Sequence, residues 1–148
     1  MKPEQLRDLL QYRMEQAYET LLEAEILMDA SALRGTMNRA YYAMFYAVLA
    51  LLATKQLGTS KHSGAISLFD REYVKTGIFP REFSKALHLA FDQRQIHDYG
   101  EMIELDALIV EQAVANARVF VDQVQAYLAM NFAITKAHLT GDDPESDK

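Results

Sequence analysis

The chain has 148 residues, half of them hydrophobic, with no cysteine and a formal net charge of −6. That length supports one hydrophobic core, and the missing cysteines exclude a disulfide framework, a thiolate zinc site and a cysteine nucleophile. Six glycines and three prolines are too few for the turns of a many-stranded sandwich or barrel, so an all-α protein is expected.

Acidic residues outnumber basic ones 21 to 15, and no basic run interrupts them. A protein that coats duplex nucleic acid by neutralising phosphates carries a cationic footprint, so that function is disfavoured and only a small local site remains open. The amino terminus, MKPEQLRDLL, is charged and lacks the apolar stretch of a signal peptide. The longest apolar run, Ala40 to Ala53, has 14 residues. A membrane span needs about 20. The expectation is a buried helix in a cytoplasmic protein with no membrane association.

The first element is read from Leu10, Met14, Ala17, Leu21, Ala24 and Met28, the apolar seam of a long amphipathic helix. Pro3 suits its first turn and Asp29–Ser31 its break. A second helix starts near Ala32 to Met37 and runs to about Lys55, with Gly58 as its stop. It is apolar on nearly every face and must be surrounded. Thr59 or Ser60 caps a shorter helix over about Lys61 to Val74. Gly77 and Pro80 mark a loop, with Pro80 in the first turn of the next helix, about Arg81 to Tyr99, whose inner face carries Phe83, Leu87, Ala90 and Phe91 and whose stop is Gly100. The last helix spans about Asp106 to Lys136, with Ile109, Ala113, Ala117, Phe120, Val124 and Tyr127 as its stripe, widened by Val110, Val114, Val121 and Leu128. These elements make an up-and-down antiparallel bundle of four main helices plus one short helix over residues 1–138. Residues 139–148 form an acidic tail, expected to be disordered.

One polar constellation stands out in FDQRQIHDYG, Phe91 to Gly100. Arg94 lies eleven residues after Phe83, about 20° from it in helical projection, and so falls on the apolar stripe. A guanidinium there needs a partner. Asp98 at i+4 can accept from it, His97 flanks the same face and Tyr99 follows. One reading is a surface ion pair with a passive histidine. The other has Arg94 as a fixed cation for a phosphate, His97 as a proton carrier and Asp98 as the orienting group, a trio suited to metal-independent RNA cleavage. Lys61, His62 and Ser63 open the short helix and are read either as phosphate contacts or as solvated residues after a cap. The Tyr41, Tyr42, Phe45, Tyr46 group reads as core packing whose hydroxyls need partners such as Arg94 or Asp98. His88 has Asp92 at i+4 and His138 has Asp142, but one imidazole and one carboxylate fall short of a ligand set, so no metal and no cofactor is expected. A bundle metalloprotein is disfavoured because no Glu-x-x-His pair occurs.

Three segments, NRAYYAMFYAVLALL from Asn38, KHSGAISLFDREYVKTG from Lys61 and RQIHDYG from Arg94, together resemble the HEPN domain family, in its small single-domain prokaryotic branch. The resemblance covers about Glu4 to Met130. It implies a homodimer and a toxin–antitoxin or defence role beside a minimal nucleotidyltransferase. Active members are metal-independent ribonucleases with an Arg-x(4–6)-His motif at the dimer interface. Arg94 matches the arginine by position, and Tyr99 matches the tyrosine that, in some members, the nucleotidyltransferase modifies with AMP. Arg94 and His97 are separated by two residues, not four to six, and Tyr99, Gly100 or Glu101 stands where the histidine would fall. The resemblance therefore leaves two functions open. One is binding of RNA or a nucleotide at a polar cleft, with Arg94, His97 and Asp98 catalytic and Arg39, Lys61 and His62 contacting phosphate. The other is a non-catalytic dimerisation and docking module for the nucleotidyltransferase.

Overall fold

A helix that is apolar all round has to be enclosed, and that requirement organises the chain. The computed structural model describes residues 1–98 and 105–135, without the side chains of 95–98. Within them run α1 (Pro3–Asp29), α2 (Leu33–Thr54), α3 (His62–Phe69), α4 (Arg81–Asp98) and α5 (Ala107–Phe132). The chain is an all-helical bundle, and α2 touches each of the other four helices. Ala40, Ala43, Ala47 and Ala50 are fully buried along α2, and their small side chains let the neighbouring backbones approach closely. Among the described residues, no helix is long and apolar enough to cross a membrane.

The seams follow the expected periods with two shifts. In α1, Leu10, Met14, Ala17, Leu21 and Ala24 are buried as expected, while Met28, in the last turn, is half-buried. In α5 the buried positions are Val110, Ala113, Ala117, Phe120, Val121, Val124, Gln125 and Leu128. Ile109 is exposed, against expectation. The helix packs on both α1 and α2, so its buried stripe is centred one residue round from the one drawn through Ile109. Polar contacts add to this packing: the Tyr18 hydroxyl donates to Asp122 across α1 and α5 at 2.6 Å.

Several helix ends differ from expectation. Gly58 is not the stop of α2. The left-handed residue is Gln56, at φ 54°, and the Gln56 and Leu57 N–H groups donate to the carbonyls of Ala53 and Leu52. That is a Schellman closure built without glycine. Ser31, at φ 59°, closes α1 in the same way, its own N–H and that of Ala32 reaching Met28 and Leu27.

Neither Thr59 nor Ser60 caps α3. Lys61 holds the N-cap position, and Thr59 Oγ1 accepts from the Lys61 N–H at 3.3 Å. The helix passes into a wider π-helical turn over Asp70–Val74, closed by Lys75 N–H to the Asp70 carbonyl. Pro80 directly precedes α4, and Asp106 caps α5 by accepting from the Leu108 N–H. α5 ends at Phe132, where Ala133 turns left-handed at φ 56°, short of the expected Lys136. Gly100, Lys136 and the acidic tail lie outside the described residues.

A non-glycine residue in the left-handed region costs about 1 kcal/mol relative to glycine. Gln56→Gly is therefore expected to raise the thermal unfolding midpoint by a few degrees. Gly58→Ala, where an added Cβ would meet nothing within 4 Å, is expected to leave it nearly unchanged.

Candidate functional site

The site is built where α4 and the start of α3 meet the exposed end of the α2 aromatic ridge. Consecutive Tyr41 and Tyr42 project about 100° apart on α2, so one ring goes inward and the other to the rim. Tyr41 is fully buried and Tyr42 half-buried. The Arg94 guanidinium lies over both rings, 5.1 Å from the Tyr41 centroid and 5.5 Å from that of Tyr42, with Phe91 at 5.9 Å. Its Nη1 donates to the Tyr42 hydroxyl at 3.1 Å. Arg94 thus faces the core side of α4, half-buried, rather than standing out in solvent. Arginine suits the position because its delocalised, weakly hydrated charge sits well on aromatic faces.

His62 comes to the same two tyrosines from the first residue of α3. Its ring stacks on Phe45 at 4.2 Å, lies edge-on to Tyr42 at 5.7 Å, and its Nδ1 is 2.9 Å from the Tyr41 hydroxyl. Burial, and then the Arg94 charge, hold the imidazole below the ordinary histidine value of 6.5, so it is neutral at neutral pH. Burial also raises the Tyr41 phenol well above its ordinary range, so it keeps its proton.

Arg39, on α2 itself, also reaches Tyr42. Its guanidinium lies 5.2 Å from the Tyr42 centroid, donates twice to Asn38 Oδ1 and pairs with Glu23 at 3.5 Å. Tyr42 therefore carries two guanidiniums against one ring. Lys61 is exposed, and its described hydrogen bond is a backbone one.

His97 and Asp98 end α4, with side chains outside the described residues, as is all of Tyr99. His88 pairs with Asp70 of the π-helical turn at 2.7 Å rather than with Asp92 on its own helix. Among the described residues no group of three or more His, Cys, Asp or Glu is placed to hold a metal ion.

What spacing along one helix could not find is that His62 and Arg94, 32 residues apart, meet the same two tyrosines. Its signal was the need of buried tyrosine hydroxyls for partners, which pointed to Arg94 and Asp98 but not to an imidazole from another helix.

The HEPN domain profile matches residues 10–127. A UPF0332 protein of Thermotoga maritima is 38% identical over 117 residues, 79% of this chain and 89% of its own. A protein of Methanocaldococcus jannaschii named as a candidate toxin is 32% identical over 119 residues, 80% of this chain and 81% of its own. A second one from that organism is 32% identical over 125 residues, 83% of this chain and 91% of its own.

The depressed His62 value has a signed consequence. The unfolded chain binds more protons than the folded one between 6.5 and the lower folded value, so stability is complete above that window and declines as pH falls through it. Urea unfolding measured downward from neutral pH is expected to show this decline, with a shallower slope in His62→Gln.

Proposed function

The chain belongs to the HEPN domain family, and we propose that it is a toxin-like member that takes an RNA phosphate in the Arg94 cleft and cleaves the strand without a metal. The observation that carries this reading is the convergence of a guanidinium and a neutral imidazole on the same two tyrosine rings. Both are donors suited to a phosphodiester, and a guanidinium presents its N–H groups in a planar fork that matches phosphate oxygens.

In the reaction the RNA 2′-oxygen bonds to phosphorus while the 5′-oxygen departs and takes up a proton. Negative charge builds on the phosphoryl oxygens, where a preplaced guanidinium is worth most. His97 and Asp98, at the end of the helix that carries Arg94, are the candidates for removing the 2′-hydroxyl proton. Arg39 and Lys61 supply outer contacts to flanking phosphates. The names of the two Methanocaldococcus proteins support the toxin-like role. The resemblance adds a homodimer and a minimal nucleotidyltransferase as antitoxin, with Tyr99 as the residue it modifies with AMP.

A second reading is favoured by the short Arg94–His97 spacing: a non-catalytic module that dimerises and docks the nucleotidyltransferase. Incubation with tRNA and total RNA in EDTA separates the two. The first reading expects cutting that persists in EDTA, and the second expects none under any condition.

Arg94→Ala is expected to reduce cleavage by about a hundredfold or more while leaving the far-ultraviolet helical signal intact. Undiminished cleavage by that variant, purified free of host nuclease, would remove Arg94 from the mechanism. Sedimentation equilibrium is expected to give twice the 16.8 kDa chain mass.

A further inference from the structure

The Tyr41–His62 contact decides which way round the imidazole works. A buried phenolic O–H needs an acceptor, and leaving one without costs about 1–3 kcal/mol. Tyr41 is fully buried, and the one acceptor its hydroxyl meets among the described residues is His62 Nδ1, at 2.9 Å. If Nδ1 carried the proton instead, the phenol would have to accept and its own hydrogen would be stranded. Among the described residues, the groups that face the imidazole are Tyr41, Tyr42 and Phe45 of α2 and the charge of Arg94 on α4. None of these is an anion that would favour the doubly protonated ring.

The geometry points to a locked tautomer: Tyr41 donates to His62 Nδ1, and His62 presents Nε2–H beside Arg94 as a neutral hydrogen-bond donor to a phosphate oxygen. His62 is half-buried, and its Nε2 makes no hydrogen bond to a described residue. In this arrangement His62 is not the proton carrier. A neutral ring with hydrogen on Nε2 and its Nδ1 lone pair engaged by Tyr41 has no free lone pair for a 2′-hydroxyl proton. The lowered proton affinity of His62 fits the same role, because a ring that stays neutral keeps the Tyr41 bond intact. Arg94 then supplies the charge and His62 the direction. Tyr41 acts through His62 and is a positioning residue.

This inference deepens the phosphate-binding reading and rests on it for the ligand, whereas the tautomer can be read with no ligand present. Nitrogen-15 spectra of the imidazoles of the full-length protein at neutral pH are expected to show His62 with Nε2 protonated and Nδ1 bare. A protonated Nδ1 overturns the proposal. Tyr41→Phe is expected to return the ring to a mixture of tautomers; an unchanged tautomer in that variant also overturns it.

Inorganic phosphate is expected to shift the Nε2–H resonance in the wild type and not in Arg94→Ala, and the absence of any shift in the wild type would overturn the donor role. With a fluorescein-labelled RNA oligonucleotide, His62→Ala is expected to weaken binding about tenfold. His62→Gln is expected to regain part of that loss, because its amide N–H donates but cannot carry a proton. Loss in His62→Gln as deep as in His62→Ala overturns the donor role. A phosphate response without RNA binding supports the inference and overturns the RNA reading, so the two fail separately.

Discussion

Seating a guanidinium on the faces of Tyr41 and Tyr42 is the interaction on which the site depends. Burying half of an arginine forfeits hydration, and the π faces of two rings together with the Tyr42 hydroxyl replace part of it. The same rings position the second polar group, since Tyr41 meets His62 at its hydroxyl and Tyr42 meets it edge-on. One pair of adjacent residues on α2 therefore sets the relation between groups delivered by α3 and α4. A lysine at position 94 would keep the charge and lose the planar stacking.

That ridge can do this because α2 carries no charged residue from Ala40 to Ala53. Of the fourteen consecutive apolar residues from Ala40 to Ala53, all are buried except Tyr42, Tyr46, Leu49 and Ala53, which are half-buried. Enclosure by α1, α4 and α5 follows from the burial of apolar area, and the short α3 closes against the same helix. The polar groups collect at the end where the enclosing helices stop covering it. Arg94 and His62 are both carried by helices, α4 and α3, rather than by a loop.

Family and architecture were legible in the chain because they rest on local, repeated signals. The α1 seam, the surrounded second helix, the break after Asp29 and the place of Arg94 on the apolar stripe all come from period and composition. Errors fell where a neighbour decides. Gly58 looked like a stop, but the chain had already turned at Gln56, because the Leu52 carbonyl was satisfied by Leu57 N–H. Ile109 looked internal, but packing on α1 and α2 sets the buried stripe of α5 one residue round. His88 looked to Asp92 along its own helix and instead found Asp70 on the π-helical turn.

By itself the sequence determined a cysteine-free helical bundle, its central apolar helix, its membership of a family and the presence of a cation on a greasy face. These are consequences of periodicity and burial, which act within one helix at a time. Only the tertiary structure decided that His62 and Arg94 meet the same two tyrosines, that Tyr41 is the partner of His62 and that Arg39 shares the Tyr42 ring. The physical reason is that hydrogen bonds and ring contacts depend on distances of a few ångströms between helices, and helical spacing carries no record of which turn of one helix meets which turn of another.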